Sequence, residues 1–180
     1  VCSSDLQSGA VASTLQRALD IAAPTSDVLF TLTDWYEQRG EYAEALRSCQ
    51  EVIRLEPQSH RAYSMLGSIH MKRGEYGKGL DILQHAVDIG ATSSSVYNNL
   101  GIAYTKKGEA GKGIEYLKRA VEQSPQFIDA WYNLAVAQQM HGQLKKAELA
   151  YLRLLELDNN YKAARMRLAA RSQEHTSELQ

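Results

Sequence analysis

The chain has 180 residues, 44% of them hydrophobic, with 20 basic against 21 acidic side chains and a formal net charge of −1. That balance supplies no strong field for nucleic acid or an anionic membrane, and no stretch reaches the roughly 18 apolar residues of a membrane helix. Of the two cysteines, Cys2 lies at the extreme N-terminus and Cys49 stands on an apolar helical stripe, so there is no disulfide framework and Cys49 reads as a small buried hydrophobe.

In chain order, residues 1–6 come first, and they are best taken together with 171–180. The two ends resemble the two reading directions of one common short-read sequencing adapter, with Gln173 the one departure. They are read as adapter scars, outside the fold, flanking a fragment that runs from about Gln7 to about Ala170. One of the 20 basic and three of the 21 acidic residues lie in these ends, which leaves 19 and 18 and the same near-neutral balance. Within 7–25, Val11, Leu15, Ala18 and Ile21 recur at helical spacing and predict the second helix of a truncated preceding repeat.

Four glycines, Gly40, Gly74, Gly108 and Gly142, then follow at intervals of 34 residues, a period that predicts stacked helical hairpins. Aligned on them, the chain divides into four full repeats, 26–59, 60–93, 94–127 and 128–161, and 162–170 begins a further repeat or a capping helix. The first helix of each repeat carries one apolar stripe: Leu29, Leu32 and Tyr36; Tyr63, Leu66 and His70; Tyr97, Leu100 and Tyr104; Trp131, Leu134 and Gln138. The second helices carry Ala45, Cys49 and Val52; Gly79, Leu83 and Ala86; Gly113, Leu117 and Ala120; Ala147, Tyr151 and Leu154, the small residues allowing close helix approach. Gly79 and Gly113 stand inside helices, where each costs about 1 kcal/mol relative to Ala, and they predict that 76–89 and 110–123 are the softest segments. With the repeat register cut at both ends, the fragment is expected to self-associate through its truncated ends or to use 161–170 as a cap.

The run Tyr97-Asn-Asn-Leu-Gly-Ile-Ala-Tyr104, together with Pro57 and Pro125, resembles the tetratricopeptide repeat family. The likeness covers nearly all of 7–170 and holds in several columns at once. It departs at Thr33 and Ala135, at His70 and Gln138, and at Gly79 and Gly113. The resemblance implies an all-α, right-handed superhelical solenoid of antiparallel helix pairs, four full repeats with partial flanking helices. It also implies a concave groove lined by the first helices. Carried onto this chain, the groove residues are Phe30 and Asp34, then Ser64, Met65, Ser68 and Lys72, then Asn98, Asn99, Ile102 and Lys106, and finally Tyr132, Asn133, Val136 and Met140. Asp27, Thr31, Gln38, Met71, Thr105 and Gln139 fall between them on the same face.

Asn99 and Asn133 stand one repeat apart and resemble the asparagine ladder with which some members hold an extended chain, because an amide both donates to and accepts from a peptide backbone. The Lys, Asn and Arg set that clamps a chaperone's C-terminal carboxylate is not reproduced: Phe30 and Asp34, or Ser64 and Ser68, occupy its opening positions, and only Asn99, Asn133 and Arg167 are similar to the remainder. Catalytic chemistry is not indicated either. His60, His70, His85 and His141 are scattered without metal-ligand spacing, and 108–113 lacks the order of a phosphate-binding loop. The pairs Lys106-Lys107 and Lys145-Lys146 lack interleaved aromatics. The sequence therefore points to a non-enzymatic scaffold that needs no cofactor or metal and binds a peptide or protein segment, with no nucleic acid or membrane partner. The alternative is a regulatory or substrate-recruiting appendage of a multidomain enzyme.

Overall fold

The computed structural model describes residues 24–178, with side chains from 24 to 170. The helix expected within 7–25 falls outside the described residues apart from Pro24 and Thr25, which are non-helical. The described residues form nine helices: α1 (Ser26–Gln38), α2 (Tyr42–Leu55), α3 (His60–Lys72), α4 (Tyr76–Asp88), α5 (Ser94–Lys106), α6 (Ala110–Gln123), α7 (Ile128–Met140), α8 (Leu144–Leu157) and α9 (Lys162–Glu178). They pack as consecutive antiparallel pairs, α1 with α2 through α7 with α8, and α9 lies against α8. The chain is all-α, and the backbone of α9 continues past Ala170 to Glu178.

Each odd-numbered helix from α1 to α7 ends in the same way. Gly40, Gly74, Gly108 and Gly142 adopt φ of +73°, +75°, +89° and +77°, a left-handed conformation that costs glycine nothing. In the first hairpin, Gly40 N donates to Glu37 O at 3.0 Å and Glu41 N to Tyr36 O at 2.9 Å, which satisfies the last free carbonyls of α1. The same two bonds recur at Gly74, Gly108 and Gly142. The loop after α4 has no proline, and here Gly90 (φ +108°) supplies a second reversal of this kind, with Ala91 N donating to Ala86 O at 2.8 Å.

With the reversal set, the two stripes of each hairpin face one another and are buried. Leu83, Leu100, Leu117 and Leu154 are sealed from solvent, and one core runs from Met71 to Ala164. Two smaller clusters, around Leu29 and Phe30 and around Cys49 and Ile69, form the interior of the first repeat and its junction with the second. Burial pushes the Cys49 thiol up to about 11, so at neutral pH it is an inert packing group. Residue size is traded across each hairpin. Gly67 faces Leu83 and Gly101 faces Leu117, whereas Thr33 faces the smaller Cys49, their Oγ1 and Sγ 3.7 Å apart.

The interior glycines are explained by this contact. A Cβ on Gly113 would lie 2.3 Å from Thr105 Oγ1 and 2.8 Å from the backbone oxygen of Gly101. A Cβ on Gly79 would meet the flexible Met71 thioether at 2.9 Å, and one on Gly77 would meet nothing within 4 Å. The helix-propensity cost assigned to Gly113 is thus the condition for close packing of α5 on α6. Gly113→Ala is expected to lower stability by about 1–3 kcal/mol, because rigid backbone must move. Gly77→Ala should raise it by roughly 0.5–1 kcal/mol, with Gly79→Ala between the two. Urea unfolding of the three variants checks the order, and a Gly113→Ala protein as stable as Gly77→Ala would contradict the packing.

The second hairpin has His70 in the column that holds Tyr36 and Tyr104, and its Nδ1 is 2.8 Å from Glu75 Oε2. Arg73 and Lys78 also pair with Glu75, at 2.8 and 3.4 Å. The hydrogen bond from His70, followed by the charges of Arg73 and Lys78, holds the Glu75 carboxyl below the usual carboxylate range. A carboxylate depressed in the folded state contributes stability above its unfolded pKa and loses it as pH falls through the folded value. Glu75→Gln should therefore be less stable than the parent at neutral pH, and the two should converge as the pH drops below 4.5, the ordinary glutamate value. Thermal melts across that range test the convergence.

Candidate functional site

The face formed by the odd-numbered helices is built from side chains between their buried stripes. Consecutive members touch across repeats, α3 with α5 and α5 with α7. It includes a cavity of about 240 Å³ at the junction of α5, α7 and α9, lined by Ile102, Thr105, Lys106, Tyr132, Asn133, Val136, Met140 and Arg167. The wall is aliphatic and aromatic, the floor carries a hydroxyl and an amide, and two cations stand at the rim.

Six groove residues expected from the sequence, Ile102, Lys106, Tyr132, Asn133, Val136 and Met140, come together in this cavity. The other eight lie outside it. Phe30 is buried under Arg61, whose guanidinium carbon is 4.0 Å from the ring centroid, so its face is closed to the groove. Asp34 is exposed, and Ser64 and Ser68 are half-buried, with Ser64 Oγ donating to His60 O at 2.7 Å. Met65 packs on both small clusters of the first repeat. The Lys72 ammonium is ion-paired with Glu37. Met71 and Thr105, placed on the same face, are buried against Gly79 and Gly113, and Thr105 Oγ1 donates to Gly101 O at 2.7 Å.

The amides are arranged differently from a simple ladder. Asn133 Nδ2 donates to Asn98 Oδ1 at 2.9 Å, across the α5–α7 junction, and Asn98 is buried by that contact. Asn99 is half-buried and its side-chain amide has no hydrogen-bond partner among the described residues. Tyr132 is held by Tyr151 and Tyr161, with ring centroids 6.1 and 5.4 Å away. Burial raises the pKa of both neighbouring phenols.

Two lining residues stand outside the fourteen expected groove residues: Thr105, which the resemblance places on the same face, and Arg167. Arg167 falls 34 residues after Asn133, so the repeat period itself is the signal that places it in this column. Thr105 is at once a packing residue and part of the floor. Arg167 also borders a cleft of about 130 Å³ between α8 and α9 that includes Glu148, Tyr151 and Leu168. Among the described residues no group of three or more His, Cys, Asp or Glu side chains is placed to hold a metal ion.

Helix pairs in a fixed period with a lined inner face define a helical-repeat solenoid. The family model of the tetratricopeptide repeat matches residues 36–100 and 104–171, and the chain belongs to that family. Among solved structures it is similar to MamA, with 26% identity over 81% of this chain and 85% of that one and a TM-score of 0.69. It is also similar to YrrB, a tetratricopeptide repeat protein with an unusual peptide-binding site, at 19% identity, 83% and 77% coverage and a TM-score of 0.71. A third similarity is to an O-GlcNAc transferase of Thermobaculum terrenum, at 25% identity and a TM-score of 0.67, covering 73% of this chain but 26% of the transferase. No curated protein sequence gives a significant match.

Because Asn133 bonds to Asn98 while the Asn99 side chain has no hydrogen-bond partner among the described residues, the two ladder positions are not equivalent. Asn98→Ala is expected to cost about 0.5–1.5 kcal/mol, the net worth of one hydrogen bond. Asn99→Ala should leave stability within experimental error. Chemical denaturation checks both, and the side-chain amide signal of Asn133 should move in an NMR spectrum only in the first variant.

Proposed function

We propose that this array is a protein-interaction scaffold that holds a peptide segment in the groove of its odd-numbered helices. The observation that carries the reading is the cavity at the α5–α7–α9 junction, where apolar side chains surround an amide and a hydroxyl. Such a mixture suits a peptide: an apolar side chain gains from leaving water, and the amide can bond the backbone that bears it. Families of this kind are generally protein-interaction modules, and the repeat geometry offers the surface without a reaction centre.

A second reading is favoured by one comparison, the similarity to a quarter of a transferase chain. In that case the same groove would recruit a substrate segment to a catalytic domain elsewhere in a longer protein. Flanking coding sequence separates the two, since only the second requires a catalytic neighbour.

Selection of a displayed random-peptide library on the parent chain and on Val136→Trp, which fills the cavity, tests the groove directly. Peptides should enrich on the parent and bind the variant at least about tenfold more weakly, a loss of roughly 1.4 kcal/mol. Equal binding by a variant that circular dichroism shows to be folded would place recognition elsewhere.

A further inference from the structure

We infer that the segment held at the α5–α7–α9 junction carries an acidic side chain close to an apolar one, with the carboxylate drawn to Lys106 and Arg167. The inference rests on the groove reading above and names the chemistry of its occupant. Lys106 and Arg167 both line the cavity and are exposed, and neither forms an ion pair among the described residues. This sets them apart from many cations of the array. Lys72 pairs with Glu37, Lys107 and Lys112 with Glu109, Arg73 and Lys78 with Glu75, and Arg153 with Glu156. Among the described residues, no acidic side chain lines the cavity, so the two cations are its only described charges.

The apolar half of the recognition comes from Ile102, Val136 and Met140. Met140 is 61% exposed at the mouth, and its flexible thioether can close over side chains of different shape. A single carboxylate entering here gains a guanidinium and an ammonium at once, one of them able to bind it in a fork. A polyanion fits less well. The same face carries exposed Asp27 and Asp34 on α1, and the chain as a whole has a net charge of −1. The charge asymmetry along the groove therefore favours a peptide with a local acidic group over a continuous run of phosphates.

The test uses two pools of nonapeptides, acetylated and C-terminally amidated, with uncharged randomised flanks. One pool has Glu within two residues of Leu, and the other has Gln in place of Glu. The Glu pool should bind the parent about tenfold more tightly, with a preference that shrinks as salt is raised. A Lys106→Glu, Arg167→Glu protein, altered at exposed positions only, should instead prefer a third pool in which Lys replaces Glu. Equal binding of the Glu and Gln pools to the parent overturns the carboxylate inference and leaves the groove reading standing. Failure of all pools together with failure of the random library removes both. Binding that requires a free C-terminus, or displacement of the Glu pool by a short oligonucleotide, would identify a chain terminus or a phosphate as the anion and overturn the assignment to a side chain.

Discussion

The chain reverses at a left-handed glycine after each of the first four odd-numbered helices, and the remaining structure depends on that reversal. An L residue with a side chain is disfavoured at φ near +75°, so the position is marked in the sequence as clearly as in the backbone. The two hydrogen bonds that accompany each glycine fix where the next helix starts, with Glu41, Glu75, Glu109 and Gln143 each donating back into the preceding turn. A constant reversal at a constant period returns each column of side chains to the same face. A groove follows, because residues that the stripe leaves over are aligned from one repeat to the next.

Within that frame the hairpins are not identical. The second and third bring glycine against glycine, Gly67 with Gly79 and Gly101 with Gly113, and fill the remaining space with a leucine. The first and fourth use larger residues at the same columns, Thr33 with Ala45 and Ala135 with Ala147, all of them buried. A solenoid tolerates such exchange since each repeat packs only on its neighbours, and a change of volume is absorbed locally. The exposed columns drift in the same way. Asp34, Ser68, Ile102 and Val136 succeed one another at one groove position, so the inner surface passes from acidic to apolar along the array.

The cavity sits where that drift has run furthest and where α9 contributes Arg167. Its aromatic wall is fixed by packing: Tyr132 is lodged between Tyr151 and Tyr161, which come from the following helix and loop. Its amide is fixed by a bond to the preceding repeat. Three successive repeats thus each supply a part, and a single hairpin would supply no site. Walls fixed in this way by packing lower the ordering cost that any ligand of such a cavity would have to overcome.

The sequence by itself determined the period, the helical hairpins, the turn glycines and both buried stripes, because these depend on local backbone preference and on helical spacing, and each is written four times. It also offered, by resemblance, a set of groove residues. It did not determine which of them meet. Phe30 and Val136 occupy comparable faces, yet one is closed by Arg61 and the other lines a cavity. Asn98 and Asn99 are neighbours, yet only the first bonds to Asn133. The glycine at 113 looked like a defect until Gly101 and Thr105 were found where its side chain would be. Those outcomes turn on contacts between helices, within one hairpin for Gly113 and across a 35-residue span for the Asn98–Asn133 bond. Helical periodicity states which way a side chain points, and only the packed neighbours decide what it touches.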